Sequence, residues 1–369
     1  VSAILALETG HVFRGNSVGV AGIRVGEVVF NTAITGYQEI LSDPSYTQQI
    51  ITFTYPHIGN TGINPDDFQS AKIFAAGVIV KSLSTYVSNW RATQSLQQYL
   101  QLQQTVAISG VDTRGLTKIL RQHGSLRGCI MAGDVNQDLA LQTARNYSGL
   151  NCKDLTCQVT IEKNYSINLN GVSHIVLIDF GVKQNILQIL ARSGAKITVV
   201  PATTCVKDVL ALQPDAIVLS NGPGDPQACT TIISNIKQLL ITKLPIFGIC
   251  LGHQLLALAL GAKTYKMDFG HHGANHPVLD IFRKQVLITS QNHGFAVDEK
   301  TLSSDLQVTH RSLFDQSLQG FRHKKLAIYG FQGHPEAAPG PHDAMQLFDE
   351  FLARITTKKK EQQCQEEPI

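Results

Sequence analysis

The chain has 369 residues, 43% of them hydrophobic, with 31 Lys and Arg against 28 Asp and Glu and a formal net charge of +3. That length exceeds one comfortable core, so two domains are expected. Charged residues make up only 16%, with both signs mixed and no basic stripe, which excludes nucleic acid as an expected partner.

In chain order, the opening "VSAILALETGHVFRG" holds an apolar stretch cut short by Glu8, with no basic start. It is too short for a signal sequence, and no run approaches the roughly 18 apolar residues of a membrane span. Residues 1–150 carry short strand-like runs, "HVFRG", "GEVVFNTAITG", "QIITFTYP" and "AAGVIVKSL". Helical stretches follow around 93–103 and 113–122, the second opened by Asp112 as an N-cap. This half reads as an α+β domain. Residues 151–172 are polar and lack periodicity, and are expected to be a linker.

From 173 to 357 strands and helices alternate. "HIVLIDF", "AKITVVP", "DAIVLS" and "LPIFGI" read as strands, separated by "VKQNILQILARSG", "VKDVLALQ" and "CTTIISNIKQLL" as helices. This alternation predicts an α/β domain with a mainly parallel sheet flanked by helices. Ligands in such sheets bind at the carboxyl ends of the strands. The last stretch, 358–369, begins with Lys358, Lys359 and Lys360 and ends "EQQCQEEPI", and is expected to be a disordered, solvated tail. The seven cysteines show no CxxC or disulfide-like spacing, which fits a reducing compartment. The expectation is a soluble intracellular protein with no membrane partner.

Three turns carry chemistry. In "FGICLGHQLLALALG", Cys250 follows a strand and opens a helix, flanked by Gly248 and Gly252. The spacing G-x-C-x-G is that of a nucleophile elbow. Crowding at such a turn requires residues without Cβ nearby, and the helix N-terminus favours a thiolate. The alternative is a small buried residue at a strand end. In "FQGHPEAAPGPHD", His334 and Glu336 lie two apart around Pro335. Pro335 biases His334 to extended backbone, so both side chains point one way and the carboxylate can orient the imidazole. The alternative is a solvated Pro-Gly loop. In "LSNGPGDP", Gly222 and Gly224 form a glycine-rich turn with no GK[ST] to make it a phosphate loop. Their N–H groups, with that of Leu251, could face an oxyanion, and the two glycines are expected to leave the turn easy to move. His271, His272 and His276 suggest a metal, but adjacent histidines rarely share one ion and no acidic residue completes a known spacing. No metal site is expected.

Together "GICLGHQ", "SNGPGDP" and "GHPE" resemble the class I (triad) glutamine amidotransferases. "GEVVFNTAITGYQEILSDPSY", "TYPHIGNTG", "VDTRGLTKILR", "FGHHGANHPV" and "TSQNHGFAVDE" resemble the small, glutaminase subunits of carbamoyl phosphate synthetases. The resemblance runs from about residue 4 to about 355. It implies a C-terminal class I amidotransferase domain after a small-subunit N-terminal domain. Cys250 would attack the glutamine side-chain amide, His334 would protonate the departing ammonia, and Glu336 would orient His334. Water would then release glutamate from a Cys-glutamyl thioester. By motif match, glutamine would contact Ser45, Gly222, Gly224, Leu251, Gln254, Asn292, Gly294 and Phe295. Ser45 falls in the first domain, which would put the site at a domain interface.

The resemblance further implies ammonia delivery to a separate large subunit that carries ATP, Mg and bicarbonate, with no cofactor in this chain. It implies at least a heterodimer, making carbamoyl phosphate for arginine or pyrimidine biosynthesis in a bacterial cytoplasm or a plastid stroma. Alternative readings are the amidotransferase subunit of another synthase, such as that for anthranilate, a non-catalytic regulatory binder, or a free-standing thiol hydrolase. The N-terminal half argues against the first, because such amidotransferases generally lack it. The complete set Cys250, His334 and Glu336 argues against the second.

Overall fold

The computed structural model describes residues 2–355 and divides the chain into two compact units. Among the described residues, one comprises 2–151 with Met267–Ala274 and Ala338–Gly340; the other comprises Cys152–Lys266, Asn275–Ala337 and 341–355. The tail expected at 358–369 lies outside the described residues. Among the described residues no helix is long and apolar enough to cross a membrane.

The first unit is built on a closed barrel. Its strands run, in spatial order, Ser2–Leu7, Val12–Ser17, Ala107–Ser109, Gly77–Ile79, Gln49–Phe53, Gly22–Asn31 and Leu126–Ala132, the last closing onto the first. Closure leaves no unpaired edge. The interior takes Leu5, Leu7, Val28, Ile50 and Ile130, with Leu116 and Leu120 of the helix Thr113–His123 packed on the same cluster. As expected, Asp112 caps that helix, its side chain accepting from the Gly115 N–H at 3.0 Å. The helix Gln137–Asn146 sets Ala140 and Ala144 against Ile4, Ala6, Cys129 and Met131, so alternate residues of the strands Ser2–Leu7 and Leu126–Ala132 serve two cores.

The second unit holds a ten-stranded sheet. Its parallel part runs Ala195–Pro201, Ser173–Asp179, Ala216–Leu219, Ile246–Ile249 and Ile328–Phe331. Antiparallel strands Leu318–His323, Leu306–Ser312, Thr264–Asp280 and Gln285–Val297 extend it. Both faces of the parallel part are covered, which is why its strands read as continuous apolar runs. In Ser173–Asp179, Val176 and Ile178 enter one core while Ile175 and Leu177 enter the other.

The stretch 151–172 departs from the linker expectation. It carries the short helix Thr156–Val159, and Tyr165–Ile167 pairs antiparallel with Ala195–Pro201 as the edge strand of this sheet. Three residues of pairing give too little periodicity to register in a sequence.

The turn after Ile246–Ile249 shows why glycine flanks the cysteine. A Cβ on Gly252 would stand 2.2 Å from the Leu219 carbonyl oxygen, and one on Gly248 would stand 2.6 Å from that of Gly252. The helix Leu251–Ala259 is thus pressed against the neighbouring strand. Gly252→Ala should lower stability by about 1–3 kcal/mol or more through overpacking against backbone that cannot yield. The check is a fall in the urea midpoint at unchanged slope; an unchanged midpoint would show that the turn relaxes freely.

Candidate active site

Cys250 occupies the residue between strand and helix, with φ 52° and ψ −105°. A non-glycine residue held at positive φ is strained, and such strain persists only where the surroundings over-determine it. They do so here. The Cys250 N–H donates to the Phe331 carbonyl at 2.9 Å, the Gly252 N–H to that of Ser220 at 3.0 Å, and the Gln254 N–H to that of Cys250 at 3.1 Å. These bonds tie the elbow to both neighbouring strand ends. The thiol is 2% exposed, 3.5 Å from the Asn292 carbonyl oxygen and 3.8 Å from Gln332 Nε2. Leu251 begins the helix, so its N–H has no acceptor within that helix.

His334 and Glu336 follow the strand Ile328–Phe331, and the His334 N–H donates to the Ser290 carbonyl at 2.9 Å. Nδ1 of His334 meets Glu336 Oε1 at 2.7 Å, both side chains being fully buried. Among the described residues Nε2 has no hydrogen-bond partner, which leaves it open to exchange a proton.

Burial alone would lower the His334 pKa. The Glu336 carboxylate and the neighbouring Cys250 sulfur overcome both burial and the Lys183 charge, raising it to about 10. For Glu336, burial pushes upward, but Lys183 and His334 outweigh it and hold the carboxyl at about 2. The imidazole therefore carries its proton near neutrality, and the carboxylate stays ionised.

Stability follows from these directions. His334, raised from 6.5, contributes fully below pH 6.5, and that contribution is lost as pH rises through about 10. Glu336, lowered from 4.5, contributes fully above pH 4.5 and loses it as pH falls towards about 2. The difference in melting temperature between the parent chain and His334→Asn should accordingly be larger at pH 6 than at pH 10. Calorimetric scans at both values check this; a difference independent of pH would refute the raised His334.

Lys183 was not anticipated. It is 1% exposed, its Nζ lies 2.8 Å from Glu336 Oε1, and it donates to the Ala337 carbonyl at 2.5 Å. It stands at the N-cap of the helix Gln184–Arg192, and the loop before it is shaped by Asp179, whose Oδ1 accepts from the N–H groups of Gly181 and Val182. A cation at a helix N-terminus opposes the helix dipole. In "GVKQNILQ" that mismatch, just beyond a parallel strand's carboxyl end, was the available signal that the lysine has an anionic partner elsewhere. Gln332 was also missed. Fully buried, its Oε1 accepts from Gln254 Nε2 at 3.0 Å, and Gln254 Nε2 also donates to the Phe295 carbonyl at 2.7 Å.

The other expected residues are placed as follows. Asn292 and Phe295 reach this cluster through their carbonyl groups, on the strand Gln285–Val297, which also carries Gly294; a Cβ on Gly294 would meet nothing within 4 Å. Gly222 and Gly224 lie beyond the strand Ala216–Leu219. A Cβ on Gly222 would stand 2.2 Å from the Phe180 carbonyl oxygen. Gly224, at φ 100°, bridges Asp154, and the Asp225 side chain accepts from the Cys152 N–H at 2.9 Å. Glycine here serves close approach at 222 and a left-handed turn at 224. Ser45 belongs to the first unit, in the short 3₁₀ turn Pro44–Tyr46, where its N–H donates to Asp43 Oδ1 at 2.9 Å. Among the described residues no group of three His, Cys, Asp or Glu is placed to hold a metal ion.

This arrangement brings together a buried thiol, a protonated imidazole and a carboxylate bonded to it, the groups that thiol-based acyl transfer requires. Comparison with known proteins gives the same class. Residues 176–354 match the family model for class-I glutamine amidotransferase. Residues 5–130 match that for the carbamoyl-phosphate synthase small chain, CPSase domain. The carbamoyl phosphate synthase small chain of Pseudomonas aeruginosa is 54% identical over 374 residues, covering 97% of this chain and 99% of that one. The one from Vibrio cholerae serotype O1 is 55% identical over 371 residues, covering 96% and 98%. Identity of this order over nearly the full length of both chains shows that this chain belongs to the family of carbamoyl phosphate synthase small chains.

Proposed function

We propose that the chain is a glutaminase that supplies ammonia to a separate synthetase subunit. The observation that carries this is Cys250 held at positive φ on a strand-to-helix elbow, next to His334, whose Nδ1 meets Glu336 Oε1 at 2.7 Å. Cys250 Sγ attacks the side-chain carbonyl carbon of glutamine, forming a C–S bond, and the electron pair moves onto the carbonyl oxygen. The Leu251 N–H, at the start of its helix, stabilises that oxyanion, as backbone donors in such turns do. Collapse breaks the C–N bond, and the proton on His334 goes to the departing ammonia. Water, giving a proton back to His334, then releases glutamate from the thioester. Lys183 acts at one remove, as the counter-charge that keeps Glu336 ionised.

Asn292, Gly294, Phe295, Gln254, Gly222 and Gly224 are proposed glutamine contacts, and Ser45 keeps that assignment on the resemblance alone. The partner is the large subunit of carbamoyl phosphate synthase, which would hold ATP, Mg and bicarbonate and use the ammonia to make carbamoyl phosphate. No step of the glutaminase half-reaction calls for a cofactor in this chain.

The test traps the intermediate. Acid quenching during turnover with glutamine should leave a glutamyl adduct on the peptide carrying Cys250, seen by mass spectrometry. Carbamoyl phosphate synthesis from glutamine should appear only when the large subunit, ATP and bicarbonate are added. An adduct on another residue would overturn the nucleophile; glutamate release with no coupling to the large subunit would favour a free-standing hydrolase.

A further inference from the structure

The second unit contains a cavity of about 240 Å³ that the glutaminase reaction does not use. Its apolar walls include the rings of Phe247, Phe321, Tyr329 and Phe331. Three guanidinium groups line it against two carboxylates, Asp280 and Glu350. Both carboxylates are engaged by Arg283, at 3.3 and 2.6 Å. Among the described residues the other two guanidiniums pair with rings rather than with carboxylates: Arg322 lies 4.1 Å from the Phe282 ring centre, and Arg354 lies 5.3 Å from that of Tyr329. Arg322 also donates to the Gln307 side-chain oxygen at 3.0 and 3.2 Å.

His310 adds an independent indication. It lines the cavity, is 5% exposed, and among the described residues its Nε2 has no hydrogen-bond partner. Buried polar atoms are rarely left unmatched, because the desolvation is then uncompensated. Its ring is fixed by an edge contact with Phe331 at 5.1 Å and by Nδ1 to Thr309 Oγ1 at 2.8 Å. Burial lowers its pKa to about 4, so the ring is neutral at pH 7. Asp280 Oδ2, 3.8 Å from Nε2 and beyond hydrogen-bond distance, favours the tautomer with its proton on Nε2.

Among the described residues, aromatic walls, two guanidiniums without a carboxylate partner and one buried N–H donor without an acceptor set the chemistry of a complementary ligand. It is planar and apolar on its faces, anionic at its rim, and carries an acceptor in its ring. We infer that this cavity is a second binding site, separate from the Cys250 cluster, for a small planar heteroaromatic carboxylate. The ring stacks among the phenylalanines, a ring nitrogen accepts from His310 Nε2, and the carboxylate meets Arg322 and Arg354.

Nicotinate is the probe, titrated by calorimetry into the full-length chain at pH 7, with benzoate and nicotinamide as controls. Benzoate lacks the ring acceptor and nicotinamide lacks the charge. Nicotinate should bind with a Kd on the order of 1 mM, as befits so small a ligand, and each control at least about tenfold more weakly. The double variant Arg322→Gln/Arg354→Gln should reduce nicotinate affinity to that of nicotinamide, and His310→Leu to that of benzoate. The three-probe comparison on the parent chain stands even where a variant fails to fold. Absence of nicotinate binding at about 10 mM, equal binding of the three probes, or unchanged affinity in the folded double variant would each overturn the site.

Discussion

Cys250→Ser, assayed with the large subunit, should abolish carbamoyl phosphate synthesis from glutamine while leaving synthesis from added ammonia intact. Cys250 is the residue in the strained elbow, and its sulfur is the atom that Asn292 and Gln332 surround. A serine oxygen would occupy nearly the same space, so folding should survive, but a hydroxyl is a far weaker nucleophile than a thiolate at this position. Ammonia supplied from solution bypasses the step. Parallel assays with glutamine and with ammonium chloride decide the matter. Loss of both activities in a folded variant would refute the division of labour, and retention of glutamine use would refute the nucleophile.

His334→Asn should lower glutamine turnover by about 10²–10⁴-fold, the usual contribution of a positioned acid–base group. Glu336→Gln should cost less in turnover per folded molecule, because the carboxylate only orients His334 and keeps it protonated. It should cost more in stability. Glu336 is the counter-charge of Lys183, at 2.8 Å and with both side chains buried, and removing one partner of such a pair costs about 3–5 kcal/mol. The two variants therefore separate chemistry from folding: single-turnover rates should rank His334→Asn as the worse, and urea midpoints should rank Glu336→Gln as the worse. If Glu336→Gln were slower per folded molecule than His334→Asn, the assignment of roles would be wrong.

Much of this molecule was legible in its residues. The strand–helix alternation from 173 follows from apolar runs that must be buried on both faces, and the sheet strands appear where those runs stand. Asp112 could be read as a cap because capping is a local hydrogen bond. Cys250 between Gly248 and Gly252, and His334 beside Glu336, could be paired as chemistry because elbows and extended dipeptides are set by backbone sterics over a few residues. Tyr165–Ile167 could not be read, since an edge strand of that length acquires its identity from the strand it pairs with.

Tertiary structure decided the rest. Lys183 and Glu336 lie far apart along the chain, so nothing local announces their ion pair; two strand ends of one parallel sheet bring them together, where Lys183 holds Glu336 ionised and Glu336, against the opposing charge of Lys183, keeps the proton on His334. The glycine-rich turn at 222–224 looked mobile because glycine permits many conformations. The close approach of Phe180 to Gly222 and of the 152–155 segment to Gly224 gives a second reason for glycine there, and it depends on what packs against the turn. The sequence by itself settled which residue types stand at strand ends, a matter of local sterics and hydrophobic period. Which charges neutralise one another, and which atoms are left without a partner, depended on desolvation, which exists only once the sheet has closed over them.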